Sequence, residues 1–178
     1  MIGNNPFRKT IGLLGAHLTS SIQENLFVAG KAFFFEDYFT FSADEIKIFV
    51  IDPTSFDGDN LVFEPFSFTA SSGPVRVDFY CNSVANSDGT LLTAVNRRCD
   101  GDPPLTVLRL NPTGVTLGDR FAGDLVPATG QNPSRSTGAA SIGALPLELN
   151  PEKKYIAQVT NDNGADTLVE IKMSWFEA

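Results

Sequence analysis

Few side chains in this sequence are suited to catalysis or metal binding. Its 178 residues include one histidine, His17, two cysteines, Cys81 and Cys99, and two short acidic clusters. A Ser-His-Asp or Cys-His apparatus would have to run through His17. That residue lies in a serine-bearing stretch near the N-terminus, where a general base has no rigid scaffold, and it reads as a surface or packing residue. One imidazole cannot build a histidine-rich metal site. Asp52, Asp57 and Asp59 fall within DPTSFDGDN and could offer oxygen ligands to calcium, but the EF-hand spacing and its bidentate glutamate are missing. A solvated turn between strands is the better reading, and Asp100-Gly101-Asp102 reads the same way. Paired carboxylates for glycoside hydrolysis stay open on sequence alone. Neither a GxxxxGK(S/T) phosphate loop nor a GxGxxG opening a helix occurs. The expectation is a protein that is not an enzyme, with no catalytic residue, no cofactor and no metal.

Charge narrows the partners. The net charge is −8 and the sequence pI about 4.5. Basic residues are scattered, and the closest pairs are Arg8-Lys9, Arg97-Arg98 and Lys153-Lys154. Nucleic acid and anionic membranes both need a basic patch, so neither is expected as a partner. No apolar run approaches the roughly 18 residues of a spanning helix, and no basic-then-apolar leader opens the chain. Cys81 and Cys99 make no disulfide framework; free thiols are the default, and a bridge between the two stays open.

Strand patterns dominate the elements that would position these groups. Residues 45–51, EIKIFVI, stop at Asp52-Pro53, and LVFEPFSF at 61–68 is interrupted by Pro65, which points to an edge or a bulge. In PVRVDFYC, Val75, Val77, Phe79 and Cys81 share one face. LTVLRL at 105–110 is a short strand closed by Asn111-Pro112. KYIAQVT at 154–160 and TLVEIKMSWF at 167–176, joined by Asn161-Asp162-Asn163-Gly164, read as a hairpin. In its second arm Val169, Ile171, Met173 and Trp175 face a core. The stretch 127–146 is small, polar and Gly/Ser-rich and reads as a long exposed loop. Helical spacing is confined to 16–29, where Leu18, Ile22 and Leu26 recur about a turn apart. The fold expected is all-β: one antiparallel, jelly-roll-like β-sandwich over 16–178, preceded by an irregular N-terminal arm, 1–15.

Phenylalanine is over-represented, with 15 Phe against one Trp and three Tyr. Phe33-Phe34-Phe35, followed by Tyr38-Phe39 and Phe41, puts rings on both faces of one strand, and both faces need cover. A buried inner strand answers that need; so does a trimer interface through Phe33, Phe35 and Phe39. Both readings stand on sequence alone. The arm combines Phe7, Ile11, Leu13 and Leu14 with Arg8 and Lys9 on an otherwise acidic chain, the mixture of a docking element.

From residue 61 onward the order of short motifs is distinctive: VRVDFYCNSV, SDGT, then Asn96-Arg97-Arg98, GVTLGDRF, a Gly/Ser-rich stretch, and a close built on Leu149, Pro151, Tyr155, Asn161 and Trp175-Phe176-Glu177. This order resembles a family of tailed-bacteriophage virion structural proteins. The chain departs from it at Arg97, where the family commonly has Asn, and in the missing second histidine after His17. The resemblance implies a jelly-roll-like sandwich on the virion, often trimeric. The expectation drawn is a capsid decoration protein, made in the host cytoplasm and located on the capsid surface. It would be a homotrimer bound to the major capsid protein, with Phe7, Arg8 and Ile11 contacting the shell. The alternative is a tail or head-fibre module that binds host-surface carbohydrate.

Overall fold

The computed structural model describes residues 25–58, 60–98, 100–127 and 147–178, and the backbone of 139–142. Phe7, Arg8 and Ile11, expected at the shell, and His17, Asp59 and Cys99 lie outside the described residues.

After a helical turn at 25–28, the strands are β1 (Ala32–Phe41), β2 (Ile46–Asp52), β3 (Leu61–Phe63), β4 (Phe66–Ala70), β5 (Val75–Ser83), β6 (Thr90–Leu92) and β7 (Val95–Asn96). There follow β8 (Val107–Leu110), β9 (Asp119–Val126), β10 (Ala139–Ile142), β11 (Leu147–Leu149), β12 (Lys154–Asn161) and β13 (Thr167–Glu177). Every pairing between them is antiparallel. One sheet runs β10-β4-β13-β1-β7, with β3 also on β13 and β11 on β3; the other runs β6-β8-β2-β12-β5-β9. The chain passes repeatedly from one sheet to the other, and the two antiparallel sheets pack as a β-sandwich.

Strand β13 is the spine of the first sheet. It pairs with β1 from Ala32↔Phe176 to Phe41↔Thr167, and on its other side with β3 and β4. Between Phe63↔Trp175 and Ser67↔Lys172 one strand advances four residues and the other three. The extra residue is a bulge at Pro65, whose missing N–H the ladder could not have used. The inward face of β13 is Val169, Ile171, Met173 and Trp175, each at most 1% exposed. Trp175 stacks on Phe63 at 5.2 Å and meets Phe33 at 5.8 Å.

The aromatic run is spent largely inside the chain. Phe33 and Phe35, expected at a trimer interface, are 3% exposed and belong to the chain's own core. Phe39 is half-buried against Phe49 and Phe35. Ten of the fifteen phenylalanines are buried in this way, so the surplus builds a Phe-rich core. Phe34, on the opposite face of β1, stays half-exposed.

Three sequence expectations need correction. Residues 161–164 do not close a hairpin, because β12 and β13 lie in different sheets. The connection is a corner held by Asn161, which is 0% exposed. Its amide donates to the carbonyls of Ser42 and Ala165, and its side-chain oxygen accepts the Asn163 N–H. Secondly, the stretch 127–146 is not all loop, since β10 within it pairs with β4. Thirdly, the strand expected at 105–110 begins only at Val107, because the N–H groups of Leu105 and Thr106 turn to Glu177.

Candidate functional site

Strands β7, β1 and β13 align Asn96, Phe33 and Trp175 in one cross-strand row. The two motif segments of the sequence, Asn96-Arg97-Arg98 and Trp175-Phe176-Glu177, are thereby brought together where the first described element meets the sandwich. That element is the helical turn, closed by Gly30. Lys31 N–H reaches Leu26 C=O at 2.8 Å and Gly30 N–H reaches Phe27 C=O at 3.0 Å. This paired closure needs a residue of positive φ, and Gly30 has φ +71.

Asn96 fastens the junction. Its Nδ2 donates to Gly30 C=O and Asp102 C=O, both at 2.8 Å, and its Oδ1 accepts Arg98 N–H at 2.9 Å. A Cβ on Gly101 would lie 2.3 Å from that Nδ2, so only glycine fits there. Arg98 donates to Val28 C=O at 2.6 Å, satisfying a carbonyl of the helical turn, and forks onto Asp100 at 3.1 and 3.2 Å. The guanidinium holds the Asp100 carboxyl below its usual range, and Asp100 in turn pushes Arg98 up.

Glu177 fastens the other end of the same loop. It is 2% exposed and accepts Leu105 N–H and Thr106 N–H at 2.9 Å and Trp175 Nε1–H at 3.0 Å. Three donors around one carboxylate meet the requirement that a buried charge be hydrogen-bonded. Two concavities flank the junction. One, of about 370 Å³, is polar and is walled by Lys31, Arg98, Asp100, Asp102 and Glu177. The other, of about 380 Å³, is apolar and is walled by Phe27, Phe34, Val95, Asn96 and Arg97. Phe27, Val28 and Val95 are 42%, 65% and 54% exposed.

The other acidic candidates are engaged elsewhere. Asp52 is ion-paired to Lys154 at 2.8 Å and accepts both the hydroxyl and the N–H of Thr54. Burial pushes its carboxyl up, but the Lys154 ammonium and the two Thr54 donors together hold it below the usual range. Asp57 is exposed. Among the described residues no three His, Cys, Asp or Glu are grouped to hold a metal ion. Cys81 is a half-buried free thiol. No helix among the described residues is long and apolar enough to cross a membrane.

Several of the motif residues singled out in the sequence serve the fold. Leu149 and Asn161 are buried, and the Tyr155 hydroxyl accepts Asn150 N–H at 2.8 Å. Sequence reasoning missed two outward-facing networks. Asp78 is 7% exposed and bridges Arg120 at 2.6 Å and Arg76 at 3.6 Å. On the other sheet, Tyr38 donates to Glu170 at 2.5 Å and Lys172 bridges Glu170 and Glu36. The only signal for either was charge at outward positions of strands. No protein-family model, no curated protein and no solved structure matches this chain.

Proposed function

We propose that the chain is a virion structural protein, a capsid decoration protein that binds the outside of a phage head as a homotrimer and cements neighbouring shell subunits. One observation carries this reading. The helical turn at 25–28 and strand β7 present Phe27, Val28 and Val95 to solvent beside Arg97. Exposed apolar groups gathered beside a basic side chain are what a docking surface needs. The motif order from residue 61 supports the same reading, because its residues secure that junction. Binding stabilises by mass action: each copy favours the assembled shell, and many symmetric copies multiply a modest contact. The arm residues Phe7, Arg8 and Ile11 are assigned to the shell.

The test is co-sedimentation of the purified chain with empty, expanded phage heads. Saturable binding that raises the temperature at which the heads break is the expected result. Failure to bind expanded heads at micromolar concentration would reject the reading.

The alternative, a fibre module for host carbohydrate, draws on one feature. A shallow groove of Tyr38, Thr69, Ser71, Leu168 and Glu170 crosses the outer face of the first sheet, and Tyr38 is 56% exposed. Binding on a glycan array that is lost in Tyr38→Ala would favour this second reading.

A further inference from the structure

Asparagine followed by glycine occurs once in the chain, at Asn163-Gly164 in the corner between β12 and β13. We infer that this corner is a site of covalent modification in the folded protein. The Gly164 amide nitrogen closes on the Asn163 side chain, and the carboxamide is converted to a mixture of aspartate and isoaspartate.

The geometry separates Asn163 from its rivals. Asn82 and Asn86 are also followed by a small residue, serine, but their amides are tied down. Asn82 Nδ2 donates to Asp119 at 2.9 Å, and Asn86 Nδ2 donates to Thr113 Oγ1 at 2.8 Å. The Asn163 carboxamide rests against Gly73, where a Cβ would clash with its Cγ, and it has no hydrogen-bond partner among the described residues. It is free to turn, while its backbone is held by the 3.1 Å bond from Asn163 N–H to Asn161 Oδ1. The nucleophile is equally open. Gly164 is exposed, a Cβ there would meet nothing within 4 Å, and among the described residues no acceptor takes its N–H. A residue with no Cβ gives its nitrogen an unhindered approach and a backbone free to turn into the ring.

The step balances with water alone. Solvent base takes the Gly164 N–H proton, and the nitrogen attacks Asn163 Cγ. A C–N bond forms, the Cγ–Nδ2 bond breaks, and ammonia leaves. The five-membered imide then takes up water. Opening at Cγ restores the ordinary main chain with aspartate at 163. Opening at the backbone carbonyl leaves isoaspartate, whose main chain is one atom longer. Asn161 Nδ2 brackets the segment through the Ala165 carbonyl at 2.9 Å, so the added atom is taken up on the open side at Gly164. The new carboxylate follows Asp162, which already pairs with Arg76 at 3.4 Å. None of this depends on what the chain binds.

Peptide mapping of the full chain after incubation in warm, mildly alkaline buffer tests it, with circular dichroism confirming that the chain stays folded. Residue 163 should gain about one mass unit and become a substrate for isoaspartyl methyltransferase, while Asn82 and Asn86 stay unchanged. Gly164→Ala should slow the conversion by roughly tenfold or more. That variant should fold, because Gly164 lies outside the left-handed region and has space for a Cβ. If it does not fold, the pH dependence in the parent chain decides: the rate should rise with pH, since the nitrogen must lose its proton. An intact Asn163, earlier conversion of Asn82 or Asn86, aspartate without isoaspartate, or a rate indifferent to Gly164→Ala or to pH would each overturn the inference.

Discussion

The carboxylate of Asp37 accepts the backbone N–H of the next residue, Tyr38, at 2.8 Å on strand β1. Strand β7 covers β1 only at Phe33 and Phe34, so beyond that point the outer edge of β1 has no described neighbour. Odd-numbered residues of β1 face β13 with their backbone groups, since Lys31 C=O accepts Glu177 N–H, and even-numbered ones face outward. Tyr38 N–H is therefore an open edge donor, and Asp37 closes it. Asp37 also sits opposite Ile171 at a position where its neighbours Phe35 and Phe39 turn inward. A charge at an inward position of an edge strand hinders edge-to-edge pairing.

Asp37→Val should therefore leave the fold intact and raise self-association through the β1 edge. Light scattering at rising protein concentration checks this. A variant as monodisperse as the parent would show that the edge needs no guard.

Trp175→Ala should destabilise the chain by about 3–5 kcal/mol, as other large core truncations do. It removes the rings stacked on Phe63 and Phe33 and takes one donor from Glu177. Glu177→Gln, nearly isosteric, should cost about 1–3 kcal/mol, because its amide would face N–H donors. Urea denaturation followed by far-UV circular dichroism measures both.

Asn161→Ala should cost about 2–3 kcal/mol, since it strands the carbonyls of Ser42 and Ala165 at a buried corner. A loss comparable to that of Asn163→Ala, on the same turn but partly exposed, would contradict the corner role assigned to Asn161.

Asp52 gives a pH signature. Its folded carboxyl lies below the ordinary value of 3.8, so its pairing with Lys154 is fully present above that value. The contribution is lost as pH falls through the lower, folded value. Asp52→Asn should be less stable than the parent at pH 7 by about 1–2 kcal/mol. The gap should close as the pH is taken below 3.8. A gap that persists unchanged in acid would assign the loss to packing instead.

The sandwich was legible in sequence wherever a strand has one buried face of useful length. Val75, Val77 and Phe79, and Val169 through Trp175, alternate because the pleat alternates. Strand β9 escaped notice because it is an edge strand exposed on most of its residues, so no alternation marks it. Strands β6, β7 and β11 are three residues long or fewer, too short for any period to show. The corner at 161–164 misled because its residues suit a hairpin turn and a crossing between sheets equally well. At the junction, Asn96 and Glu177 were conspicuous as motif members, but their role depends on three strands meeting, and spacing along the chain does not encode that.

The position of β13 bears on how the chain reaches its fold. It is the last of the strands in chain order, yet β1, β3 and β4 all pair with it, and the Ala32↔Phe176 contact joins nearly opposite ends of the described chain. Until β13 arrives, the first sheet has no centre, and the rings of Phe33, Phe63 and Phe66 lack the strand that shelters them. Such distant pairings make assembly slow. During synthesis the nascent chain therefore carries an unsheltered aromatic surface until β13 follows, and folding of the sheet waits on that strand's release.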